Sequence, residues 1–246
     1  MATIPSVEEL LKAGVHFGHR AHHWHPKMRS FIFGERKGIH VVDLEKTQVQ
    51  LTKIAAVVTD IFAKGGNVLF VGTKPQAQTA VATAAQACGM PYINVRWLGG
   101  TLTNWPQIQR LLRHYLDLKD KREKGELRKY TKLEQLNFDR EIAELDEKIG
   151  GLSSMKRLPD AVVVIDARAE KTAVREANSV HIPVIALVDT NVNPEGVTYV
   201  IPGNDDATSS ITCVLNVLVE AIEEGKKKVV VATEAAKQAA APKSAE

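Results

Sequence analysis

Apolar positions in this chain follow two rhythms that take turns along its length. NVLFVGT, DAVVVID and IPVIALVD are continuous aliphatic runs with no polar face, the pattern of strands buried on both sides, and PYINV is a shorter run of the same kind. Between and around them, PQAQTAVATAAQACG and EKTAVREANSV carry apolar residues at helical spacing, with Pro75 allowed in a first turn. SSITCVLNVLVEAIEEG supplies a closing helix. Strands that alternate with helices through short connections imply parallel pairing with helices on both faces. Upstream, Ser6 with Glu9 forms a capping-box pattern for a short helix through Ala13 that stops at Gly14. In SFIFGERKGIHVVDL two strand-like runs flank GERKG, which predicts a hairpin. Asp43 then caps LEKTQVQLTKIAAVVTDIFAKGG, a helix that ends at Gly65-Gly66.

The rhythm breaks between Trp105 and Pro159. Ile108, Leu111, Tyr115 and Leu118 are spaced as one coiled-coil seam, and Phe138, Ile142, Leu145 and Ile149 as another. Thr131 with Glu134 is a second capping box, and Gly125 falls in the turn region between the two helices. The expected fold is therefore α/β, a three-layer domain with a mainly parallel sheet of flavodoxin or Rossmann type. Residues 1–104 and 159–225 form that domain, and residues 105–158 an inserted antiparallel coiled-coil helical hairpin. Residues 226–246, rich in Ala and Lys without an apolar seam, are expected to be a disordered tail.

Composition changes this picture little, but the placement of charge changes it a great deal. The 246 residues are 44% apolar and 25% charged with a formal net charge of +3, so the total favours no partner. Five of the eight histidines (His16, His19, His22, His23 and His25) fall within VHFGHRAHHWHPKMRSFIFGERK, where Arg20, Lys27, Arg29, Arg36 and Lys37 face only Glu35. Such a segment can set cations on phosphates and stack Trp24 or imidazole rings on bases. Cys88 and Cys213 lie far apart in apolar stretches, with neither zinc nor disulfide spacing, and read as small hydrophobes of a reducing compartment. No apolar run is long enough for a membrane span, and MATIPSVEELL has no signal-peptide pattern, so a cytosolic protein is expected.

Three strand ends could hold chemistry. Val71-Gly72-Thr73-Lys74 resembles the end of a phosphate loop but lacks its upstream glycine, although Lys74 before a helix suits a phosphate. Arg96-Trp97-Leu98-Gly99-Gly100-Thr101-Leu102-Thr103-Asn104 has the backbone freedom to wrap closely around something. Within it Arg96, Thr103 and Asn104 could bond sugar or phosphate, while Trp97 and Leu98 anchor in the core and Thr103 or Asn104 caps the next helix. Asp189, Asp205 and Asp206 are oxygen donors for a divalent cation or, more simply, turn and cap residues before the ATSSITCVL helix. No zinc spacing, G-x-S-x-G elbow or activated cysteine is present.

The motifs AGVHFGHRAHHWHPKM, FIFGERKGIHVVDLEKT, VLFVGTK, RWLGGTLTNW, LPDAVVVID, IPVIALVDTN and VIPGNDDA also resemble, together and in order, the bacterial small-subunit ribosomal protein two family. The resemblance covers Ile4 to about Gly225 and implies a structural rRNA-binding protein without catalysis or cofactor. It implies a place between head and body of the small subunit, on its solvent side, and contact with the large multi-domain ribosomal protein that helps recruit messenger RNA. Neither a membrane nor a small-molecule substrate is implied. His19, Arg20, Trp24, Pro26, Lys27 and Met28 would lie in the RNA-facing N-terminal segment; Arg29, Arg36, Lys37 and Lys74 are further RNA-binding candidates by their own charge and position. Arg96, Gly99, Gly100, Thr103 and Asn104 would form the loop at the base of the arm. Many relatives place a threonine or serine and an asparagine at His22 and His25, so Arg20 and Lys27 are the safer contacts. The competing reading is a nucleotide-dependent enzyme on a doubly wound sheet, which rests on fold class alone.

Overall fold

A computed structural model describes residues 3–240, with side chains through Val229. The chain begins with α1 (Val7–Lys12), β1 (Phe17–Arg20), β2 (Ile32–Arg36), β3 (Ile39–Val42) and α2 (Leu44–Ala63). It continues through β4 (Val68–Val71), α3 (Pro75–Cys88), β5 (Tyr92–Ile93), α4 (Trp105–Glu123) and α5 (Lys132–Ile149). It closes with β6 (Ala161–Ile165), α6 (Lys171–Ser179), β7 (Val184–Val188), β8 (Tyr199–Pro202) and α7 (Thr208–Ala240). The local signals act as expected: Ser6 and Thr131 make full capping boxes, Asp43 accepts from the Lys46 amide, and Pro75 opens α3.

Five strands pair in parallel in the order β5-β4-β6-β7-β8, so the protein is an α/β fold on a parallel sheet. Counted along the chain this is 2-1-3-4-5, one of the two common doubly wound orders. Successive residues of a strand face opposite layers, which explains why these runs carry no polar position. Val68, Phe70, Val163, Ile165, Ile185 and Leu187 pack with Leu51 of α2, Val81 of α3 and Leu218 of α7. Leu69, Val71, Val162, Val164, Ala186 and Val188 pack with Ala173 and Ala177 of α6 and with Trp97 and Leu102.

The predicted hairpin is present as β2 and β3, turning at Lys37 and Gly38 with φ of 54° and 76°. Two strands escaped the sequence reading. β1 joins this pair to make an antiparallel sheet in the order β1-β3-β2, and β8 edges the parallel sheet. Both are four residues long, and β1 is interrupted by a register shift, so neither leaves a clear alternation.

Helices α4 and α5 follow each other across a tight turn that contains Gly125 in a left-handed conformation. Contacts run in opposing order: His114 Nε2 lies 2.9 Å from Glu141, Arg122 Nε lies 3.0 Å from Asp139, and the Tyr115 hydroxyl donates to Asp146. Ile142 and Ile149 of the expected second seam are buried, with Phe138 and Leu145 packed against the same cluster. In the first, Leu112 rather than Leu111 is fully buried beside Ile108, Tyr115 and Leu118. Leu111 is only half-buried, because a straight helix at 3.6 residues per turn carries position 112 nearer the seam.

The closing helix does not end at Gly225. A Cβ there would lie 2.5 Å from Phe62 Cβ and 2.7 Å from the Thr59 carbonyl oxygen, so this glycine lets α7 and α2 approach closely. The backbone runs on as helix to Ala240 through a stretch of Ala and Lys, residues of high helix propensity. The remainder of the expected tail, residues 241–246, lies outside the described residues. Cys88 is buried, Cys213 half-buried, and both are free thiols.

Candidate nucleic-acid interface

Doubly wound sheets hold ligands beyond the carboxyl ends of their strands, where the strand order reverses. Here that point lies between β4 and β6, and the protein's own side chains fill it. Lys74 Nζ lies 2.7 Å from Asp166, 2.9 Å from Asp205 and 2.9 Å from Asp206. Thr73 donates its amide and hydroxyl to Glu170 Oε1 at 2.8 and 2.6 Å. Burial would lower the Lys74 pKa, but the three carboxylates outweigh it and hold the ammonium charged. Asp205 is pushed up to about 7, first by burial and then by the neighbouring Asp166 charge. Lys74 is thus committed to carboxylates rather than offered to a phosphate. Asp205 and Asp206 close on an ammonium rather than converging as metal ligands, and the described residues contain no group of His, Cys, Asp and Glu arranged for a metal. Neither aspartate directly precedes α7, which begins at Thr208; in the turn before it Asn204 Oδ1 accepts from the amides of Asp206 and Ala207.

The histidine-rich segment is laid across the end of β7. Thr190 is the staple: its hydroxyl accepts from the His19 amide at 3.1 Å, and its carbonyl accepts from the His25 amide at 2.8 Å. Gly18 makes this approach possible, because a Cβ there would come within 2.8 Å of Thr190 Cγ2 and 2.9 Å of the His40 carbonyl. His19 Nδ1 pairs with buried Asp189 at 2.6 Å, and that bond raises the imidazole pKa against the effect of burial. His19 therefore anchors the segment from within. Met28 is fully buried in the core and drops out as a contact residue. What the segment presents outward is Arg20, His22, His23, Trp24, Pro26, Lys27 and Arg29, followed by Arg36 and Lys37 at the hairpin tip. Among the described residues only Lys27 of these cations is ion-paired, at 2.7 Å to exposed Glu195.

Glu176 of α6 is what the Gly-Gly loop wraps around. It is 8% exposed and accepts from Trp97 Nε1 at 3.0 Å, from the Gly100 amide at 2.8 Å and from the Leu102 amide at 3.0 Å. The Thr103 amide and hydroxyl, at 3.4 and 3.3 Å, complete the set. Burial pushes this carboxyl up, but the hydrogen bonds from Trp97, Gly100, Leu102 and Thr103 outweigh it and hold it below the ordinary range. Trp97 is buried as expected. Thr103 bonds Glu176 instead of capping α4, and Asn104 stands at the cap position without a side-chain bond. Arg96, Gly99, Thr103 and Asn104 are exposed, and Gly100 is half-buried.

A basic cavity was missed in the sequence. It has a volume of about 420 Å³ and is lined by His25, by Arg168, Lys171 and Arg175 on and before α6, and by Asn191 and Glu195 after β7. Among the described residues no ion pair involves the three cations. The spacing of four between Lys171 and Arg175 was the available signal, since it sets both on one face of α6, with Arg168 in the turn just before it. Glu170 between them and Glu176 directly after Arg175 mask it in the sequence, and both of those carboxylates turn inward.

The family model for ribosomal protein S2 matches residues 10–225. The small ribosomal subunit protein uS2 of Bradyrhizobium diazoefficiens is 48% identical over 220 residues, which cover 89% of this chain and 66% of that protein. The proteins of the same name from a second Bradyrhizobium strain and from Rhodopseudomonas palustris are 47% identical, again over 89% of this chain and 67% and 66% of theirs. The chain thus spans about two-thirds of the length of these relatives. With the family model matching most of its length and relatives nearly half identical to it, the chain belongs to the ribosomal protein S2 family.

Proposed function

We infer that this protein is a structural component of the small ribosomal subunit, in the cytoplasm, and that it binds small-subunit rRNA without catalysing a reaction. The observation that carries the reading is the row of outward cations, Arg20, Lys27, Arg29, Arg36 and Lys37, on a segment fixed to the sheet by Thr190 and Asp189. Rigid spacing lets such charges neutralise phosphates of folded RNA at little ordering cost. The Lys27–Glu195 pair is no obstacle, since both side chains are exposed, water screens their attraction and Lys27 can exchange the carboxylate for a phosphate. Arg96 and Asn104 extend the surface at the base of α4. The competing enzyme reading loses its usual site to the Lys74 cluster.

Replacing Arg20 and Lys27 together by Ala should weaken association with the small subunit. It should also flatten the salt dependence by roughly one unit of slope per lost phosphate contact. Unchanged assembly at raised salt would remove these two residues from the interface. In cell lysate the protein should sediment with small ribosomal particles, and its residence entirely in the free pool would overturn the reading.

Within the same reading, α4 and α5 form an inserted coiled-coil hairpin at residues 105–158, standing on the domain of residues 1–104 and 159–225. The body supports assembly of head and body and the docking of the large mRNA-binding ribosomal protein. Excising residues 119–138 with a short linker should leave a cooperative thermal melt. Its loss would place the hairpin in the core.

A further inference from the structure

The basic cavity beside α6 plays no part in the interface described so far. Three observations bear on its occupant. Its volume of about 420 Å³ falls in the range of roughly 300–1,000 Å³ of pockets that enclose a small molecule, and it is too confined for a double helix. Arg168, Lys171 and Arg175 bring three positive charges to it without an ion-pair partner among the described residues, while Glu195, the single carboxylate at its edge, is already matched by Lys27 at 2.7 Å. His25, which lines the cavity, belongs to the segment stapled by Thr190 and makes the cavity continuous with the basic surface.

We propose that this cavity receives one unpaired nucleotide of the bound RNA, its phosphate among Arg168, Lys171 and Arg175 and its base beside His25 and Asn191. The proposal rests on the RNA-binding reading above and adds a preference for unstacked over helical RNA. Recognition of folded RNA commonly works on bases splayed out of loops and bulges, which offer hydrogen-bonding edges and a face for stacking on rings such as the His25 imidazole.

The test uses the full chain and two labelled RNA duplexes, one blunt and one with a single-nucleotide bulge, in an anisotropy titration. The bulged duplex should bind about tenfold more tightly, the scale of one charge-assisted hydrogen bond. Arg175→Ala and, separately, Lys171→Ala should abolish that preference while leaving blunt-duplex affinity within about twofold, because distant phosphate contacts remain. Arg20→Ala with Lys27→Ala should instead weaken both RNAs alike. A 4-thiouridine in the bulge should photocrosslink to the peptide around Asn191, a measurement that needs no variant to fold. Equal binding of bulged and blunt RNA, or a crosslink elsewhere, overturns the cavity assignment and leaves the wider interface standing. Failure of the wild-type protein to bind either RNA overturns both.

Discussion

Lys74→Met should destabilise the fold by about 3 kcal/mol, near the lower end of what removing one partner of a buried ion cluster costs. Asp166 and Asp205, 5% and 1% exposed, would lose the ammonium that lies within 2.9 Å of each. Asp206 is half-exposed and can turn to water, which moderates the loss. For a chain of this size the melting temperature should fall by roughly 6–12 °C. The sign of the pH dependence follows from the carboxyls. Asp205 already titrates near 7, above its unfolded value, so the folded state holds its proton longer and this group costs stability as pH rises through that range. Without Lys74 its pKa climbs further. The gap between wild type and variant should therefore widen from pH 6 to pH 8 in paired thermal melts. An equal gap at both values would mean that lost packing, not stranded charge, is responsible.

Glu176→Gln tests the other buried carboxylate, by replacing a group that accepts on both oxygens with one that accepts on one. Trp97 Nε1 and the Gly100 amide bond one oxygen, and the Leu102 and Thr103 amides the other, so an amide nitrogen at either position meets donors. The expected loss is about 2–4 kcal/mol, one or two hydrogen bonds to a charged acceptor. Amide exchange at Gly100 and Leu102 should accelerate with it. Because the Glu176 pKa is held low, its contribution is complete above the ordinary carboxylate range and disappears as pH falls through the folded value. The variant should thus approach wild type only in acid. Unaltered exchange at both amides would show that the loop is held by Trp97 packing alone.

These two carboxylate networks also mark the limit of what could be read from residues in order. The strands β4, β6 and β7 were legible because each is a run of aliphatic residues buried on both faces, and the helices because their caps and stripes are local. The basic N-terminal segment was legible as composition. Its seat was not, because Gly18, His19 and His25 meet Thr190 and Asp189 about 170 positions away. Lys74 was expected on phosphate from its place before a helix, a local argument that could not foresee Asp205 and Asp206 closing over it. Glu176 stands in EKTAVREANSV as a polar residue with no local mark of burial. Only the folded loop shows what its oxygens accept.

Long-range seating of the N-terminal segment has a consequence for synthesis. The Val15 carbonyl accepts from the Asn204 amide and the Thr190 carbonyl from the His25 amide, so these partners must leave the exit tunnel before the segment can dock. This segment is made well before the residues that seat it, and it emerges as a cationic thread free to meet stray polyanions while they are still being made. Nascent chains arrested before residue 190 should accordingly be nicked by trypsin at Arg20 and Lys27, and chains released after residue 210 should resist.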